Sequence, residues 1–226
     1  MSFRTPLIVS FVLIAAMVAI SAWGWVAVPA HAQMAVHWAV DGRPNGFMSK
    51  TTGLLMLPCI AIALTGLFLL LPRIEPRRTN LFSSRKLYFA GWYGGIAMLA
   101  IAHLLTVMNG AGLRVDTPRW IVIALSLLFL VLGNFMGKSR STFFVGIRLP
   151  WTLTSEMAWE KSSRIAGRGF VATGAAALAT VFFVGTIAGI LVIAIGALLS
   201  ATVGGIASYF YWKHDTHRND GDSGHE

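Results

Sequence analysis

The last uncharged run of this chain sets the tightest limit on its fold. Residues 169–212 are 44 consecutive positions without Asp, Glu, Lys or Arg. As a single helix that run would be about 66 Å long, twice the roughly 30 Å of a bilayer's hydrocarbon core. It is therefore expected to hold two membrane spans joined by a tight reversal near 185–189. A water-soluble domain must cover itself with polar groups, and this run has no charged ones to offer.

The same logic applied upstream finds four more spans. Residues 6–28 carry no charge, and neither do residues 51–71, which stop before Pro72. Residues 87–108 are interrupted only by His103, and a shorter run covers 120–136. Thr117 is expected to cap that fourth helix, with Pro118 as its first helical residue. The fold class that follows is all-α: a polytopic membrane bundle of six transmembrane helices. Charged residues are 12% of the chain, against about 25% in soluble domains. Cys59 is the only cysteine, which excludes an intramolecular disulfide and a cysteine-based metal site.

The connecting segments give an orientation. With the N-terminus inside, 14 of the 18 Lys and Arg residues fall on the cytoplasmic side. Only Arg43, Lys50, Arg114 and Arg119 remain outside, so the positive-inside rule places both termini in the cytoplasm. The net charge of +9 therefore reads as topology, and no direct nucleic-acid partner is expected. Ala30-His31-Ala32 resembles a signal-peptidase site, but the apolar region before it is longer than the 7–15 residues of a signal sequence. The first span is expected to stay.

Two loops carry chemistry. The external one contains His37, Trp38, Asp41, Gly42, Pro44, Asn45 and Lys50. Asp-Gly and Pro-Asn-Gly are turn chemistry, so Trp38 is expected at the membrane interface with His37 and Asp41 hydrogen-bonding inside a tight loop. His37 and Asp41 lack the further ligands a metal needs. The cytoplasmic segment 137–168 is too apolar for a solvated loop, yet Gly146, Arg148 and Pro150 break it too often for a span. It is expected to be interfacial. A short amphipathic helix would start after Pro150 from a Thr152 or Thr154 cap, with Glu156 in its first turn and Trp151 and Trp159 at headgroup depth.

Residues 133–138 (Gly-Asn-Phe-Met-Gly-Lys), followed by Gly146-Ile147-Arg148-x-Pro150-Trp151-Thr152-Leu153-x-x-Glu156-x-x-Trp159, resemble the signature of the SdpI immunity-protein family. His37-Trp38-x-x-Asp41-Gly42-x-Pro44-Asn45, with Lys50 and Pro58, resembles a poorly characterised domain that commonly precedes it. The resemblance implies a two-span N-terminal domain over 1–72 and a four-span domain over 73–212, and composition adds an expected disordered cytoplasmic tail over 213–226. It also implies a bacterial cell-membrane protein giving resistance to a membrane-active peptide toxin. In the best-known member it further implies recruitment of a cytoplasmic winged-helix repressor, for which Arg148, Pro150, Trp151, Thr152, Glu156 and Trp159 are the candidate contacts. This chain departs from the family at Thr142, where Asn is usual, and at Ser162-Ser163, where Thr-His is usual.

Other functions have less behind them. A transporter or channel would place ionisable groups in its spans, and only His103 qualifies. An enzyme is not expected: there are no paired intramembrane carboxylates, no His-Glu-x-x-His and no Gly-x-Ser-x-Gly. No catalytic residue, metal or cofactor is assigned. Gly91-x-x-x-Gly95 and Gly185-x-x-x-Gly189 are expected to allow close helix packing within the protein. In the tail, His214, His217 and His225 stand among Asp215, Asp220, Asp222 and Glu226, a composition that reads as solvated rather than metal-binding.

Overall fold

A computed structural model describes residues 2–217. The elements are α1 (Arg4–Ala27), β1 (Gln33–Trp38), β2 (Pro44–Ser49), α2 (Lys50–Ile74), α3 (Arg78–Ser83), α4 (Arg85–Gly110), α5 (Thr117–Met136), α6 (Pro150–Thr154), α7 (Glu156–Phe183) and α8 (Thr186–Lys213). Six of them, α1, α2, α4, α5, α7 and α8, are long and apolar enough to cross a membrane. The protein is a polytopic helical membrane protein.

Several boundaries differ from expectation, each for a local reason. The second span does not stop before Pro72; α2 continues to Ile74 with Pro72 inside it. The cap of α5 is Asp116, whose Oδ1 accepts from Arg119 N at 3.1 Å, and this leaves Thr117 as the first helical residue. The external loop is not turn alone. Its strands pair antiparallel as β1–β2, with register shifts after Ala35 and His37. The inner helix after Pro150 is not separate from the membrane either. α6 ends at Thr154, and from Glu156 the chain runs as one 28-residue helix into the fifth span. The reversal between the last two spans falls at Val184 and Gly185, where Gly185 takes φ +133°.

α2 contains two prolines, and each frees the carbonyl four residues earlier, because proline has no N–H to donate. In lipid such a carbonyl must find another donor. Pro58 frees Leu54 O, which accepts from Ser21 Oγ of α1 at 2.7 Å. Pro72 frees Phe68 O, which accepts from Tyr88 OH of α4. His103 joins the first of these. Its Nε2 lies 2.9 Å from Ser21 Oγ and 3.2 Å from Met17 O. A carbonyl only accepts, so the tautomer with a proton on Nε2 is the one that uses both contacts, and Ser21 Oγ donates to Leu54 O at 2.7 Å with Met17 O its second acceptor at 3.0 Å. One polar chain thus ties α4, α1 and α2 together.

Around these bonds lies an apolar layer of Met17, Ala61, Leu81, Tyr88, Trp92 and Ile96. Phe68 stacks on Trp92 at 5.3 Å, and Trp92 Nε1 donates to Ser10 Oγ of α1 at 2.9 Å. α1 is therefore built into the core rather than attached to it. Its removal at Ala32 would strip partners from Trp92, His103 and Leu54 O, which favours an uncleaved first span. α4 packs against α1, α2 and α5 to similar extents, while α7 packs between α5 and α8 as a second group.

Small residues hold that second group. A Cβ on Gly133 would lie 2.5 Å from Gly167 O, and one on Gly167 would lie 2.6 Å from Gly133 O. Neither side chain can grow without separating α5 from α7. The two anticipated glycine pairs contribute less than expected. Gly189 meets Val181 and Val122, and Gly95 meets Leu64, but Gly91 faces open space and Gly185 is the turn.

The proline pairing makes a stability prediction. Ser21→Ala should destabilise the protein by about 1–2 kcal/mol, since it orphans a buried carbonyl and removes the His103 partner. The loss should shrink in a Pro58→Ala background, where the substituted residue regains a backbone N–H that can return to Leu54 O. Denaturant titration of the purified protein measures both, and equal losses in the two backgrounds would contradict the pairing.

Candidate functional site

The two ends of the bundle are built differently. On the end that the charge bias places outside, Met34 of β1 is fully buried with Val28, Leu54 and Val107, and this pins the hairpin to the helices. Lys50 Nζ donates to Trp25 O and Val28 O, both at 2.7 Å, so it satisfies the last carbonyls of α1. Ser49 caps α2 through Thr52 N. At the tip, Asp41 Oδ1 accepts from Arg43 N at 3.0 Å, and Gly42 takes φ +82°. His37 Nδ1 lies 2.5 Å from Asn45 Oδ1, across the pair of strands. His37, Asp41 and Asn45 thus serve the turn, and Pro44 opens β2. Among the described residues no group of three His, Cys, Asp or Glu is placed to hold a metal.

Beneath this hairpin lies an apolar cavity of about 460 Å³. Val36, His37 and Trp38 roof it, and α2, α4, α5 and α8 wall it with residues such as Leu57, Leu125 and Ile193. Trp38 is half-buried at its edge rather than freestanding in the interface. Sequence reasoning singled out the roof but missed the cavity, because its walls come from four helices far apart in the chain.

The opposite end, which the charge bias places inside, is a dense polar knot centred on Glu75, the C-cap residue of α2. Glu75 is only 2% exposed. Its carboxylate accepts from the backbone N–H of Arg77 (3.0 Å), Phe143 (3.1 Å) and Phe144 (3.2 Å). Arg77 donates to Ser141 Oγ and to Leu153 O at 2.6 Å, and its guanidinium sits over the Phe143 ring at 5.3 Å. Asn80 Nδ2 adds Ser141 O at 2.8 Å and Glu156 Oε1 at 3.3 Å. The segment after α5 is thus folded over the end of α2 rather than spread along the membrane.

The candidate contacts in this segment divide by burial. Arg148, Pro150 and Glu156 are exposed. Trp151 is half-buried and donates to Ser208 Oγ of α8 at 2.5 Å. Thr152 and Trp159 are fully buried, so neither can offer a contact surface. Thr152 Oγ1 accepts from Leu149 N at 2.9 Å, and Trp159 Nε1 donates to Ser139 O at 3.2 Å. Trp159 fills the space beside Gly146, whose φ of +112° and missing Cβ leave room for the ring. It is a wedge in the cap, not an anchor at headgroup depth.

The cap of α7 is Ser155 rather than Thr152 or Thr154, with Ser155 Oγ accepting from Ala158 N at 2.9 Å. Ser155 Oγ also donates to the buried Asp215 carboxylate at 2.5 Å. The expected disordered tail is therefore ordered over its first residues, because that bond docks Asp215 onto the cap. His225, Asp220, Asp222 and Glu226 lie outside the described residues. Thr142 Oγ1 donates to Val145 O at 2.7 Å and accepts from Val145 N, bonds that close the turn before Gly146. Ser162 and Ser163 are both fully buried, so a histidine at 163 would have no outward face in this fold.

Comparison with known proteins sets these two ends side by side. Residues 138–208, which hold the inner cap, α7 and most of α8, match the model of the SdpI/YfhL protein family. The chain carries an SdpI-family domain. Residues 12–62, which hold most of α1, the hairpin and the start of α2, match a domain of unknown function (DUF1648). The chain is 25% identical over 181 residues to a protein of Bacillus subtilis (strain 168) named Immunity protein SdpI, covering 80% of this chain and 84% of the relative. No solved structure matches. Glu75 and Arg77 lie outside both matched segments, between the DUF1648 region and the SdpI-family domain whose loop they hold.

Glu75→Gln places an amide donor against N–H groups that have no other partner. It should weaken the cap locally by about 1–3 kcal/mol and leave the spans assembled. Hydrogen exchange should then accelerate at Phe143 and Phe144 before it changes in α2 or α4. Unaltered exchange at those amides would show that Glu75 does not hold the cap.

Proposed function

We propose that this multi-pass protein of the bacterial cell membrane gives immunity against a membrane-active peptide. The observation that carries this reading is the likeness to Immunity protein SdpI over 80% of this chain, together with the SdpI/YfhL family match at the capped end. The outer cavity supports it: an apolar peptide segment arriving from outside would replace lipid contacts with the walls under Trp38, while His37 and the hairpin meet its polar part. The reading is of a binding protein, not an enzyme, and it gives His103 the role of a helix brace rather than a proton relay.

The capped end supports the finer reading that a cytoplasmic repressor is recruited there. Its surface would be Arg148, Pro150 and Glu156, held in place by the buried Thr152, Trp159 and Glu75. Expression in a toxin-sensitive host should raise survival against the cognate peptide. Leu125→Trp, which fills the cavity from α5, should abolish protection at unchanged membrane levels. Survival that is equal with and without the protein, across the peptides of its own neighbourhood, would overturn the immunity reading. Arg148→Ala combined with Glu156→Ala should cost repressor recruitment but not protection.

A further inference from the structure

A second cleft lies on the opposite, base-rich half of the bundle, between α4 and α5. Its upper part is an apolar groove of about 690 Å³ lined by side chains that include Phe89, Ala97, Met98, Leu128 and Val131. Along α4 it extends from Lys86 to Ile101, about 22 Å of helix, more than the roughly 15 Å of hydrocarbon in one leaflet. At its cytoplasmic end is a polar pocket of about 580 Å³ lined by Arg85, Lys86 and Lys138, with the hydroxyl residues Thr79, Ser83 and Ser84. Lys86 and Phe135 line both, so groove and pocket are one continuous cleft.

We propose that this cleft binds an anionic glycerophospholipid of the inner leaflet, phosphate in the basic pocket and one acyl chain along the groove. Charge complementarity selects this occupant. No carboxylate lines either part. The three residues are exposed, and their side chains make no hydrogen bond or ion pair among the described residues. The pocket also meets the start of α4, a 26-residue helix with no acidic residue in its first turn and no side-chain cap. Its free N–H groups and positive dipole end add to the attraction for a phosphate. A free phosphate would leave the groove unused, and a zwitterionic lipid would bring a second cation to a basic pocket. Basic pockets beside helices at the cytoplasmic face are the usual setting for anionic headgroups.

The test uses the full chain, purified, stripped of lipid and offered phosphatidylglycerol or phosphatidylcholine, with bound lipid counted by native mass spectrometry. Phosphatidylglycerol should be retained at least about tenfold over phosphatidylcholine, a difference of roughly 1.4 kcal/mol. The triple variant Arg85→Gln, Lys86→Gln, Lys138→Gln should lose that preference. Ala97→Phe, which narrows the groove and keeps the charges, should also lower retention. Arg164→Gln with Arg168→Gln, on the other side of α5, should leave it intact. Excess inorganic phosphate should not displace the lipid. Equal retention of both lipids, displacement by inorganic phosphate, or equal losses from the two sets of charge variants would each overturn the proposal.

Discussion

The structure depends on how α2 keeps its broken backbone satisfied in lipid. Two prolines free the carbonyls of Leu54 and Phe68 at two depths in the membrane, and the donors come from different helices, Ser21 of α1 and Tyr88 of α4. In water these carbonyls would hydrate, and in hydrocarbon they recruit neighbours. His103 extends the upper bond and Trp92 adds another between α4 and α1. The first three spans are thereby a specified unit rather than three interchangeable apolar rods.

That unit connects the two functional ends. The N-terminal turns of α2 wall the outer cavity at Gly53, Met56 and Leu57, and the same helix ends at Glu75, which holds the inner cap. The helix is capped at its start by Ser49, ends in the Glu75 knot and is braced by two interhelical bonds between. Under the proposed function, an occupant that shifted α2 beneath the hairpin would act on the carboxylate that orders the Phe143–Phe144 turn. The second helix group is joined with less directional chemistry. α5, α7 and α8 meet through small residues such as Gly133 and Gly167, where backbone lies on backbone.

The spans were legible because the absence of charge over some twenty residues admits few alternatives. The turn chemistry of Asp41-Gly42 was legible too, as was the reversal at Gly185. The strands were not, since each has six residues and their pairing is broken by bulges that blur any alternation. Asp116 and Thr117 are adjacent good caps, and Pro118 suits either of the first two helical positions, so residue type could not separate them. Trp159 was misplaced for a physical reason. A tryptophan near a membrane boundary fits both an interfacial anchor and a wedge, and only the gap left by Gly146 decides. Glu75 carried a signal that went unused, an acid at the end of a span beside Arg73, Arg77 and Arg78. Asp215 gave none, because its partner Ser155 is 60 residues away.

The central claim is a two-sided molecule, with the hairpin and its cavity outside and the Glu75 cap inside. Thiol accessibility tests it most directly. In a Cys59→Ala background, Arg43→Cys at the hairpin tip and Lys161→Cys on α7 each give one reporter. A membrane-impermeant maleimide applied to intact cells should label the first and spare the second until the membrane is permeabilised. Labelling of Lys161→Cys in intact cells, with protection of Arg43→Cys, would invert the molecule and contradict the account.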